Sequence, residues 1–208
     1  MPAAAILAAP ARPLAPEDAA RADFYALLAS LFHHAPDERM LRTLAIAPAL
    51  EGGDEALAGA WAALAAAAGV FDAEAAAEEF ERLFVGVGKA RVSIHAGFYV
   101  GAGAADHPRV RIIEDLAALG LARAPQASEP EDHFAGLFET MRVLVAGGAG
   151  RAPATLSEQK RFYEANVKPG IAKFLEAVER TTEANLYRKV AALGKAFAAI
   201  ESESFNLD

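Results

Sequence analysis

The chain has 208 residues, no cysteine and a formal net charge of -8. That charge balance excludes a nucleic-acid binder, which needs clustered Lys and Arg to neutralise phosphates. The missing cysteines exclude disulfide frameworks and Cys-ligated zinc or iron–sulfur centres. The hydrophobic fraction is 54%, but 53 residues are alanine, a strong helix former and a poor strand former. The composition predicts an all-α protein with a modest bulky core.

Residues 1–16 are rich in Ala and Pro, with Arg12 the single charged side chain, and read as a disordered tail. The folded domain is expected over 17–208, as one bundle of about eight to ten helices. From Glu17 to His34 the apolar residues Phe24, Leu27, Leu28, Leu31 and Phe32 keep helical spacing. Pro36 ends this helix and Asp37 caps a second, with Met40, Leu41 and Leu44. Gly52-Gly53 precedes a third helix, which Asp54 starts, Leu57, Trp61 and Leu64 stripe and Gly69 closes. Asp72 opens a fourth, with Ala76, Phe80, Leu83 and Phe84 on one face. The longest uncharged helical stretch, Ala56 to Phe71, falls short of the roughly 20 apolar residues of a membrane span.

Helical periodicity stops between Val85 and Pro108, in a glycine-rich segment of a length often tied to function. It resumes from Arg109 to Gly120, with Ile112, Ile113, Leu116 and Leu119. Ser128 and Glu131 have the spacing of a capping box ahead of Phe134, Leu137, Phe138, Met141, Leu144 and Val145. Gly147, Gly148 and Gly150 end that helix. Two short helices, Ser157–Val167 and Lys168–Thr181, are expected to meet at Pro169. A last helix runs from about Glu183, with Leu186, Val190, Leu193, Phe197 and Ile200 inward.

Catalytic motifs fail on inspection. Gly86-Val87-Gly88-Lys89 suggests a phosphate loop, but Leu83 replaces its first glycine and Ala90 stands where a Ser or Thr belongs. Gly101-Ala102-Gly103 follows no strand, so a dinucleotide site is unsupported. His33, His34, His95, His107 and His133 include no pair at His-x-x-x-His spacing. No enzyme activity, metal or cofactor is expected.

Two neighbourhoods stand out. The first is Glu79 to Gly88, an apolar-faced helix entering a glycine loop. The second is Glu129-Pro130-Glu131-Asp132-His133 at a helix start. Each alone has a plain structural explanation: aromatic and Leu residues at helical spacing pack a core, and acids near a helix start complement its dipole. Together they resemble the TorD/DmsD-type chaperones, the redox-enzyme maturation proteins related to NarJ. Phe80, Leu83, Phe84, Gly86 and Gly88 match that family's first motif, and Glu129, Pro130, Asp132 and His133 match its Glu-Pro-x-Asp-His. The family's prolines and Ser-x-Tyr element after Gly-x-Gly are not kept: Lys89 to Ile94 has no proline, and Ser93 is followed by Ile94, His95, Ala96, Gly97, Phe98 and Tyr99. Its His-Leu-x-Pro-Trp stretch is replaced by Asn166-Val167-Lys168-Pro169-Gly170.

The resemblance implies an all-α cytoplasmic chaperone. Its partner would be the twin-arginine signal peptide of a molybdenum-containing oxidoreductase precursor, held until cofactor insertion is complete. No nucleic acid and no integral membrane segment would be involved, and the protein would be a monomer or a domain-swapped homodimer. The expected peptide-binding residues are Phe80, Leu83, Phe84, Gly86, Gly88, Tyr99, Glu129, Pro130, Asp132 and His133. Phe80, Leu83 and Phe84 would form an apolar groove, Glu129, Glu131 and Asp132 would meet the arginines, and His133 would brace a loop. Residues 85–108 would move to admit the peptide. The alternatives are a helical assembly or regulatory partner of a mature redox subunit and, third, a small nucleotide hydrolase.

Overall fold

The structure is a computed structural model that describes residues 14–86, 90–100, 108–148 and 150–207. The proposed tail up to residue 13 and Gly88 of the first motif lie outside the described residues. Among the described residues there are nine α-helices and no strand. They are α1 (Pro16–His33), α2 (Glu38–Ala45), α3 (Glu55–Ala68), α4 (Ala73–Phe80), α5 (Pro108–Ala118), α6 (Phe134–Ala146), α7 (Leu156–Phe162), α8 (Lys168–Arg180) and α9 (Leu186–Leu207). The all-α single domain expected from the sequence is the one observed.

Local chemistry explains most helix starts. Pro16 occupies the first turn of α1, where its missing N–H costs nothing. Asp37, Asp54 and Asp72 each accept an N–H three residues on, at 2.7, 2.8 and 2.7 Å. Two expectations change. Ser128 and Glu131 do not form a capping box: Ser128 donates to Glu129, and Glu131 is taken up by Arg109 and Arg123. His133 caps α6 instead, accepting the Ala135 N–H at 3.2 Å. The reciprocal box is made by Thr155 and Glu158 at the start of α7. The break expected at Pro169 is a π-helical turn over Tyr163–Val167 that leads straight into α8.

The interior is aromatic. α1 packs most extensively on α6, and α9 lies against α3 and α8. Phe134 of α6 stacks on Phe174 of α8 with ring centroids 4.4 Å apart, and Phe32 of α1 meets Phe174 edge-on at 4.9 Å. Glu201 is buried where α9 crosses α1, and its carboxylate accepts from Arg21 at 2.7 Å and from Tyr25 at 2.7 Å. That network gives a buried charge the partners it requires.

The first motif belongs to this core. Leu83 is 0% exposed and Phe84 is 7% exposed, while Phe80 packs against both Phe84 and Tyr187. A π-helical turn over Glu81–Val85 ends at Gly86, whose φ of +64° suits a residue without Cβ. Its N–H donates to the Glu81 carbonyl at 2.7 Å.

Candidate binding groove

A cavity of about 520 Å³ opens between α1 and α6 beneath the segment joining α5 to α6. Its floor is built from small side chains: Ala26, Ala29 and Ser30 on α1, and Ala135, Gly136 and Thr140 on α6. Ala26 stands three and four residues before Ala29 and Ser30, and Gly136 four before Thr140, so the trough follows helical periodicity. Sequence reading passed over them because a stripe of small residues looks like ordinary close packing.

The second motif supplies the wall. Glu129, Pro130, Glu131 and His133 all line the cavity, with His33 and His34 at the end of α1. Glu131 accepts from Arg109 Nε at 2.7 Å and Arg123 Nε at 3.3 Å, which ties the wall to α5. Its own backbone N–H and these two guanidinium groups hold its carboxyl below the usual range. Glu129 accepts from the Ser128 hydroxyl at 2.7 Å, which lowers its carboxyl too. Among the described residues Glu129 has no ion-pair partner. It is the wall carboxylate with acceptor capacity to spare.

His133 and Asp132 point in different directions, and His133 also packs its ring against His95 at 5.5 Å. His133 faces the groove, and burial drives its imidazole down to about 4, helped by nearby His95. It is a neutral side chain at neutral pH. Asp132, 8% exposed, is not among the groove-lining residues and turns toward the segment 94–97. Its Oδ2 accepts from the Gly97 N–H at 3.4 Å, and its Oδ1 lies 3.5 Å from His95 Nδ1. Burial opposes its charge, but the His95 ring and the Gly97 N–H outweigh this and keep the carboxyl below its usual value.

The first motif stays apart from this groove. Phe80, Leu83, Phe84 and Gly86 do not line it, and neither does Tyr99, whose hydroxyl donates to the Ser93 carbonyl at 2.7 Å. The Tyr99 ring packs on Phe134 and Phe174, and burial pushes its hydroxyl up to about 12. The apolar groove expected from Phe80, Leu83 and Phe84 is therefore a core cluster: Phe80 and Phe84 pack on Tyr187, Phe84 also meets Phe32 and Phe174, and Leu83 is fully buried.

A family model for the nitrate reductase delta subunit matches residues 50–176, a span that includes both motifs. The chain belongs to the nitrate reductase delta subunit family. This is the NarJ/TorD-type group of redox-enzyme maturation chaperones, whose role is maturation rather than catalysis. A crystal structure described as a redox enzyme maturation protein, from Archaeoglobus fulgidus, has a similar fold, with a TM-score of 0.54 and 17% identity. The match covers 88% of this chain and 93% of that one. No curated protein matches the sequence. Among the described residues no single helix is long and apolar enough to cross a membrane, and no group of three or more His, Asp or Glu side chains is placed to hold a metal ion.

Proposed function

We propose that the chain is a cytoplasmic chaperone that binds the twin-arginine signal peptide of a molybdenum-containing oxidoreductase precursor in the α1–α6 groove. It holds the precursor until the cofactor has been inserted. The observation that supports this reading is the position of the Glu129–His133 motif as one wall of an apolar trough. A twin-arginine signal peptide carries guanidinium groups followed by an apolar segment, and the trough offers a carboxylate beside a floor of small side chains. Its volume of about 520 Å³ suits a few side chains of a peptide and not a folded domain. Apolar burial supplies most of the affinity in such helix-in-groove recognition. A guanidinium–carboxylate pair at Glu129 fixes the direction of the peptide.

Gly136 gives a clean test. It lies within α6 on the groove, and a Cβ there would meet nothing within 4 Å. Gly136→Leu fills the trough while removing a helix-destabilising glycine, so stability should hold or rise by up to about 1 kcal/mol. Calorimetric titration with a twin-arginine peptide should show affinity at least about tenfold weaker. Unchanged affinity would move the peptide elsewhere. Capture of a mature oxidoreductase subunit by a variant that no longer binds the peptide would favour the assembly-partner role.

A further inference from the structure

We infer that His95 and Gly97, which belong to neither motif, are positioning residues of the groove, acting through Asp132 on the wall formed by Glu129–His133. The assignment of the groove's ligand rests on the peptide-binding reading above; the positioning itself does not.

The geometry is that of a short clamp. Ala96 N–H donates to the Asp132 carbonyl at 2.8 Å, and Phe134 N–H donates to the Ile94 carbonyl at 3.0 Å. These bonds set residues 94–96 antiparallel to 132–134, with His95 opposite His133. The Asp132 side chain closes the clamp from beside it, reaching the Gly97 N–H and the His95 ring. His95 Nδ1 is buried, makes no hydrogen bond and lies 3.5 Å from Asp132 Oδ1. A Cβ at residue 97 would lie 2.9 Å from Asp132 Oδ2, so a side chain there would push the carboxylate aside.

The other side of residues 94–97 is fixed as well. A Cβ on Gly170 of α8 would stand 3.3 Å from the Phe134 ring and 3.4 Å from the Ala96 carbonyl. Residues 94–97 are thus held between α8 and the groove wall. Asp132 is flanked in sequence by two groove-lining residues, Glu131 and His133, and faces the opposite way. Its carbonyl and carboxylate, both bonded to residues 96–97, hold the chain between those two wall residues. The motif's aspartate is then an internal anchor, and its effective partners are His95 and Gly97.

Four variants test this: His95→Ala, His95→Gln, Asp132→Ala and the double variant His95→Ala/Asp132→Ala. The first readout is amide hydrogen exchange at Ala96, Phe134 and residues 129–133, measured without any ligand. His95→Ala and Asp132→Ala should each speed exchange there about tenfold, the double variant no more than Asp132→Ala alone, and melting temperatures should change little. His95→Gln retains a donor toward Asp132 and should restore protection. The second readout is affinity for a twin-arginine peptide, which should fall in parallel. Unchanged exchange in His95→Ala, or effects of His95 and Asp132 that simply add, would overturn the inference. Failure of the unsubstituted protein to bind the peptide would instead sink the ligand assignment, with exchange still deciding the clamp. Exchange that responds while affinity stays constant would remove the clamp from the binding role.

Discussion

The carboxylate of Glu79, at the end of α4, accepts the backbone N–H of Tyr187 at 2.8 Å, joining residues 108 positions apart. The same carboxylate accepts from Asn185 at 2.8 Å and Leu186 at 3.2 Å, so one side chain satisfies three N–H groups at the start of α9. Glu79 is 1% exposed. Glu79→Ala should therefore cost about 3 kcal/mol, read as a lowered denaturation midpoint in urea, because three backbone donors lose their acceptor. A loss under about 1 kcal/mol would show that α9 finds another cap.

Leu83 invites the opposite comparison with the groove. It is fully buried, so Leu83→Ala should destabilise the fold by about 2–5 kcal/mol. Peptide affinity of the remaining folded protein should match the unsubstituted chain. A selective loss of affinity at full stability would return the first motif to the binding site.

The neutral state of His133 makes stability depend on pH in a stated direction. The unfolded imidazole takes up its proton near 6.5, and the folded one only near about 4. Between these values the unfolded chain binds more protons, so stability falls as pH is lowered through the window. The full contribution is about 3 kcal/mol, present above pH 6.5 and lost toward pH 4. His133→Asn keeps a side-chain acceptor for the start of α6 and removes the titration. Denaturation midpoints from pH 7.5 to 4 should fall more steeply for the unsubstituted protein; parallel profiles would refute the buried neutral histidine.

Glu129 tests the electrostatic half of the recognition. Glu129→Gln keeps the size of the side chain and removes the charge at the groove wall. Affinity for a twin-arginine peptide should drop about fivefold at low salt, and the dependence on salt should flatten. An arginine-to-lysine peptide should lose less against this variant than against the unsubstituted protein, since bidentate pairing is already gone. Equal salt slopes for the two proteins would show that Glu129 is not the arginine contact.

Helical periodicity carried the fold in readable form, because a repeat of 3.6 residues is a local property of the chain. Leu28, Leu31 and Phe32 declared the buried face of α1, and Asp37, Asp54 and Asp72 declared three helix starts. Local pattern failed at Ser128 and Glu131. Their spacing was right for a cap, but Arg109 and Arg123, from other parts of the chain, took the carboxylate.

The candidate site divides in the same way. Glu129, Pro130 and His133 were marked by their motif, and the structure puts them on a cavity. The trough itself could not be read, since Ala26, Ala29, Gly136 and Thr140 acquire meaning only when α1 and α6 lie side by side. Adjacent residues on the wall also split in direction, His133 toward the groove and Asp132 toward Gly97. Sequence alone determined the helices, the family and the residues of the second motif, because each is set by neighbours along the chain. Tertiary structure alone decided that the first motif is core and that Asp132 turns toward Gly97. Burial and side-chain direction depend on what α8, α9 and residues 94–97 bring from far away in sequence.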